Sequence, residues 1–89
     1  MHTRIARRVP LYCLERIDDR LLLYHPGLTR TVYLNETASL IWGLCDGQRS
    51  NLDITELLRE TYPDEAAHIA DDVEATLQRL QVEGALEFA

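Results

Sequence analysis

Residues 33–47 read Tyr33-Leu-Asn-Glu-Thr-Ala-Ser-Leu-Ile-Trp-Gly-Leu-Cys-Asp-Gly47, and in this stretch the hydrophobic period changes from two to about 3.6. Asn35 is a good N-cap, since its short side chain can accept a hydrogen bond from an amide of the first turn, and Glu36 lies where the helix dipole favours an acid. Leu40, Ile41, Leu44 and Cys45 recur at helical spacing, and Asp46-Gly47 predicts the stop, glycine tolerating the left-handed conformation just past a helix.

Upstream of this helix the chain reads as short strands. Leu11 to Ile17 is rich in strand formers, Asp18-Asp19 supplies a turn, and Arg20 to Tyr24 follows as a second strand. Pro26-Gly27 interrupts the chain before Arg30 to Leu34 resumes with β-branched and aromatic residues. Short connections between three strands favour an antiparallel meander. Downstream, Ser50 and Asp53 have the spacing of a capping box and open a second helix carrying Ile54, Leu57 and Leu58, which stops near Tyr62-Pro63. The third helix is the longest. Ile69, Val73, Thr76, Leu77 and Leu80 form its stripe, Gly84 its C′ residue, and Leu86 can pack back onto its end.

The predicted class is α+β, with a three-stranded antiparallel sheet followed by three helices, βββααα, in a winged-helix type of arrangement. Neither the sheet nor the short helices can bury an apolar side alone, so they must cover each other. The expected core is Leu40, Ile41, Leu44, Ile54, Leu57, Val73, Leu77 and Leu80. Two segments are expected: a flexible basic N-terminal segment over 1–10 and a folded domain over 11–89. Trp42 lies off the apolar stripe, either at the core edge or against a partner protein, and Tyr33 either enters a groove or stays at the surface.

Composition narrows the function. The chain has 89 residues, 46% of them hydrophobic and 27% charged, which suits one packed module and is small for an enzyme with a shielded pocket. No apolar run reaches the roughly 18 residues of a membrane span, and the N-terminal ten residues lack a signal-peptide pattern, so a soluble, cytoplasmic protein is expected. Cys13 and Cys45 share no C-x-x-C spacing and are expected as buried free thiols. His2, His25 and His68 have no metal-ligand spacing, the glycines form no phosphate loop, and Asp71, Asp72 and Glu74 point to different helix faces. No cofactor, metal or catalytic constellation is therefore expected.

Charge is uneven. The net value is −6, yet residues 1–34 carry six arginines against Glu15, Asp18 and Asp19, while residues 35–89 carry three arginines against twelve carboxylates. Lysine is absent, so every fixed cation is a guanidinium suited to bidentate pairing. Arg79 has Glu83 one turn away as an ordinary surface partner, or else meets a ligand's carboxylate.

The pieces Leu34-Asn35, Glu36-Thr37-Ala38 and Leu44-Cys45-Asp46-Gly47, followed by the capped second helix, Asp72-Val73 and Gly84, resemble the PqqD family, also called recognition elements for ribosomally synthesised and post-translationally modified peptides (RiPPs). The resemblance runs from about Leu11 to Leu86, with Thr76 polar where family members often carry an apolar residue. It implies a noncatalytic module that binds the leader of a precursor peptide and presents it to a modifying enzyme, such as a radical SAM enzyme, a leader peptidase or another maturase. By resemblance, the leader adds as an antiparallel strand beside the third strand and the third helix. The expected peptide-binding residues are Arg30, Thr31, Val32, Tyr33, Leu34, Asp72, Thr76, Leu77, Arg79 and Leu80: on a helical wheel Asp72, Thr76, Arg79 and Glu83 share one shoulder of the apolar stripe and Ala70, Glu74 and Gln81 the other, and the first, which holds the family-like Asp72, is expected to face the strand. An exposed edge also allows a homodimer through that strand. The alternative reading is a winged-helix DNA-binding regulator, which needs a basic recognition helix. The third helix opposes it, carrying Asp64, Glu65, Asp71, Asp72, Glu74 and Glu83 against Arg79 alone.

Overall fold

The computed structural model describes residues 3–88; Met1, His2 and Ala89 lie outside the described residues, and with them the expectation for His2. Its elements run β1 (Ile5–Arg8), β2 (Cys13–Ile17), β3 (Arg20–Tyr24), β4 (Thr31–Leu34), α1 (Glu36–Leu44), β5 (Asp46–Ser50), α2 (Asn51–Thr61), α3 (Ala66–Val82) and β6 (Leu86–Phe88), with one 3-10 turn at Pro63–Glu65 before α3. The strands form two antiparallel sheets, β2-β3-β4 and β5-β1-β6. The α+β class and the three helices match expectation, but the simple βββααα order does not.

The correction lies in the second sheet. Residues 1–10 were expected to be a flexible basic segment, whereas Ile5–Arg8 is its central strand and Ala6 is fully buried. Basic composition concealed this, because Arg7 pairs with Glu87 across the β1–β6 ladder at 2.5 Å and Arg4 reaches Glu74 of α3 at 2.6 Å. Asn51 supports the same corner: its Nδ2 donates to Glu74 at 2.7 Å and its Oδ1 accepts from the Arg4 amide at 2.9 Å. Asp46-Gly47 does not end α1 as expected. The helix closes at Cys45, and Gly47 takes its positive φ of 83° within the bulged β1–β5 pair.

The helix signals behave as chemistry dictates. Asn35 caps α1 by accepting from the Ala38 amide at 2.8 Å. Ser50 and Asp53 make both bonds of a capping box, at 3.1 and 3.0 Å. At the end of α3, Gly84 has φ 83°, its amide donates to Gln81 and that of Ala85 to Leu80, each at 3.0 Å, which is a Schellman motif.

Leu21, Leu23, Val32 and Leu34 line the inner face of β2-β3-β4, and with Ile41, Ile54, Leu58, Ile69, Val73, Leu77 and Leu80 from the helices they form one core. Three expected core residues are not in it, Leu44 being half-buried against its edge. Leu40 and Leu57 are 41% and 38% exposed, and with Gly43, Leu44, Leu58 and Thr61 they line an open apolar groove of about 310 Å³ between α1 and α2. Both lie one step around the wheel from the buried positions, and α1 turns Ala38, Ile41 and Trp42 inward instead. Trp42 is buried at the core edge, its Nε1 donating to the Ala85 carbonyl at 3.2 Å. Cys45 is a buried free thiol as expected, its Sγ donating to the Ile41 carbonyl, and burial pushes it up to about 12. Cys13 is only half-buried.

Candidate functional site

The order β2-β3-β4 leaves β4 with one free edge. Which of its polar groups face that edge follows from the β2–β3 hairpin. Its two-residue turn, Asp18-Asp19, makes Ile17 and Arg20 the hydrogen-bonded closing pair. Pairing alternates along an antiparallel ladder, so Arg20, Leu22 and Tyr24 bond to β2, while Leu21 and Leu23 bond to Leu34 and Val32 of β4. The N–H and C=O groups of Thr31 and Tyr33 are thereby turned outward. A side-chain contact agrees with this parity: Arg79 Nη2 donates to the Tyr33 carbonyl at 2.8 Å.

The far wall of the edge is α3, which runs antiparallel to β4. At one end Arg30 Nη1 donates to the Glu83 carbonyl at 2.9 Å, in the middle Arg79 meets Tyr33, and at the other end Asp72, Ala75 and Thr76 face Asn35 and Thr37 across a cleft of about 200 Å³. The opposite shoulder of the helix is occupied elsewhere, Glu74 being held by Arg4 and Asn51. Asp72, Thr76, Arg79 and Glu83 therefore lie on the shoulder toward β4. Of the two partners considered for Arg79, Glu83 is not taken: among the described residues Arg79 makes no ion pair, and its guanidinium bonds to the Tyr33 carbonyl.

Of the ten residues implied as peptide contacts, the structure brings Arg30, Thr31, Tyr33, Asp72, Thr76 and Arg79 to the cleft or its rim. Val32 and Leu34 contribute side chains to the core, at 4% and 7% exposure. Leu77 and Leu80 are fully buried, because they sit at the centre of the apolar stripe rather than on its shoulder. Tyr33 is 55% exposed on the outer sheet face, where the Arg20 guanidinium lies 5.6 Å from its ring centroid. Two further residues, Asn35 and Thr37, line the cleft. Their positions at the start of α1 were readable from the cap, but nothing in the sequence placed α3 across from them.

The arrangement can add a strand and read it from one side. The outward amides and carbonyls of Thr31 and Tyr33 supply main-chain hydrogen bonds, and the opposing helix supplies an acid, a hydroxyl and a guanidinium.

Comparison with known proteins gives the same family that the sequence resembles. Residues 20–86 match the family described as Coenzyme PQQ synthesis protein D (PqqD). The PqqA binding protein of Pseudomonas entomophila is 38% identical over 63 residues, which is 71% of this chain and 65% of that protein. The PqqA binding protein of Klebsiella pneumoniae is 39% identical over 61 residues, 68% of this chain and 62% of that protein. This chain thus spans somewhat less than two thirds of these relatives' length. The solution NMR structure of the PqqD truncation of Methylobacterium extorquens PqqCD, described as a functional and stand-alone RiPP recognition element, superposes with a TM-score of 0.73 at 26% identity, covering 92% of this chain and 87% of that one. With a family match over residues 20–86 and a shared overall fold, the chain belongs to the PqqD family.

Proposed function

We propose that this protein is a noncatalytic RiPP recognition element, which binds the leader of a ribosomally synthesised precursor as an added strand on β4 and presents it to a modifying enzyme. The observation that carries this reading is the free edge of β4, with the polar groups of Thr31 and Tyr33 turned outward beside α3, where Arg79 meets the Tyr33 carbonyl and Asp72 and Thr76 face Asn35 and Thr37. The names of the relatives, PqqA binding proteins, support a peptide ligand, and the PqqCD origin of the structural relative supports a modifying enzyme as the second partner. The folded domain then includes β1 as well as residues 11–88. Main-chain bonds supply affinity, and the shoulder of α3 selects sequence.

DNA binding does not suit this geometry. The only fixed cation on α3 is Arg79, so the helix that would enter a groove repels phosphate. The test of the peptide reading is amide shift mapping. The ¹⁵N-labelled chain is titrated with leaders of precursors encoded near its gene and with PqqA of Pseudomonas putida, the organism of another relative. Shifts should concentrate at residues 30–34 and along Asp72, Thr76 and Arg79; shifts confined to α2, with β4 silent, would overturn strand addition.

A further inference from the structure

The edge of β4 is not fully open. Its Tyr33 carbonyl, one of the two that face outward, is already held by Arg79 at 2.8 Å, and the Arg79 side chain is exposed in the cleft. In an added antiparallel strand, the residue opposite Tyr33 must exchange both of its main-chain bonds with it, so its N–H needs this same oxygen. A carbonyl has two lone pairs, but the incoming N–H arrives from the cleft in which the guanidinium already sits. The two donors compete for the same approach.

Releasing the carbonyl returns the exposed guanidinium to water, and a strand laid across the cleft then takes part of that water away. The guanidinium cannot shed its proton, so an acceptor that replaces the displaced water is favoured. The carboxylates on its own helix give poor relief, Glu74 being held on the other shoulder by Arg4 and Asn51. Asp72 lies seven residues back, about 10 Å along the axis at 1.5 Å per residue. Glu83 is one turn on and makes no ion pair with Arg79 in this structure, while its main-chain carbonyl is held by Arg30. Apart from water, the incoming strand itself is the remaining source of an acceptor.

We propose that Arg79 is a displaceable latch on the β4 edge, which yields the Tyr33 carbonyl to an added strand and then pairs with a carboxylate of that strand, so that the site selects peptides carrying Asp or Glu next to the position opposite Tyr33. This rests on the strand-addition reading given above and names the ligand chemistry it selects. A neutral strand leaves water as the only replacement for the Arg79–Tyr33 bond, whereas an acidic one replaces it by a bond between two charged groups, the stronger kind.

The test needs no knowledge of the natural precursor. A random peptide library is displayed and panned against the immobilised full chain and against R79M, whose side chain keeps the length and loses the charge. Peptides recovered on the wild type should carry Asp or Glu at a fixed position. Changing that residue to Asn or Gln should weaken binding to the wild type by about tenfold and leave R79M unaffected. Arg79→Lys should restore part of the discrimination. A neutral peptide should bind R79M more tightly than the wild type, since no latch has to open. Equal losses on the wild type and R79M would overturn the latch, provided the peptides still shift the amides of residues 31–34. No recovered peptide, or recovered peptides that leave those amides unmoved, would overturn the strand-addition reading and the latch with it.

Discussion

Proline at two adjacent positions of β4 should separate binding from stability. Thr31 is the first residue of the strand, and its N–H faces the open edge, so Thr31→Pro removes a donor that only an added strand would use. Val32 is turned the other way. Its N–H bonds to Leu23 of β3 and its side chain is 4% exposed in the core, so Val32→Pro removes a ladder bond and disturbs packing. The expected cost of Thr31→Pro to folding is below about 1 kcal/mol, while a bound peptide loses one hydrogen bond and keeps a carbonyl without a donor, about 1 to 3 kcal/mol, or roughly 5- to 150-fold in Kd. For Val32→Pro the order reverses, with a stability loss of about 3 kcal/mol or more. Urea unfolding and calorimetry with a panned peptide measure the two quantities on the same variants. If Thr31→Pro bound as the wild type does while Val32→Pro stayed folded and lost binding, the ladder parity derived from the Asp18-Asp19 turn would be wrong.

The core can be tested by contrast between neighbours: Leu77→Ala, at a fully buried position, should cost about 2 to 5 kcal/mol in urea unfolding, whereas Leu40→Ala and Leu57→Ala, both partly in solvent, should each cost under about 1.5 kcal/mol. Ser50→Ala removes the reciprocal cap of α2 and should lower stability by about 1 kcal/mol, with Ser50→Gly milder. Thiol labelling at neutral pH should reach Cys13 and spare Cys45 until the chain unfolds. Because burial raises the folded thiol of Cys45 to about 12, above its unfolded value near 9, its contribution is present in full below pH 9 and is lost as pH climbs toward 12; Cys45→Ala should remove that part of the alkaline decline in stability.

The parts of this fold that were legible are those specified by local chemistry. Asn35, the Ser50–Asp53 pair and Gly84 mark helix ends because each meets amides or carbonyls within a few residues, and the structure shows those bonds. The Arg20–Tyr24 strand and its turn were readable for the same reason. What could not be read is nonlocal. β1 is a strand because Asp46–Ser50 and Leu86–Phe88 flank it, some 40 and 80 residues away, and its surface arginines are matched by Glu87 and by Glu74 on different elements. Charge counted along the chain made that segment a basic tail, while charge counted in space makes it a paired strand. The same distinction governs the cleft. The helical wheel put Asp72, Thr76 and Arg79 on one shoulder, but which shoulder meets β4 depends on how α3 lays its buried stripe of Ile69, Val73, Leu77 and Leu80 on the core, with Glu74 on the far side held by Arg4 and Asn51. Loosening that corner should therefore act on stability: Glu74→Ala removes the acceptor shared by Arg4 and Asn51 and should lower urea stability, while the buried stripe keeps the other shoulder toward β4 and peptide binding changes little; a large loss of binding in a variant that stays folded would show that the corner sets the cleft.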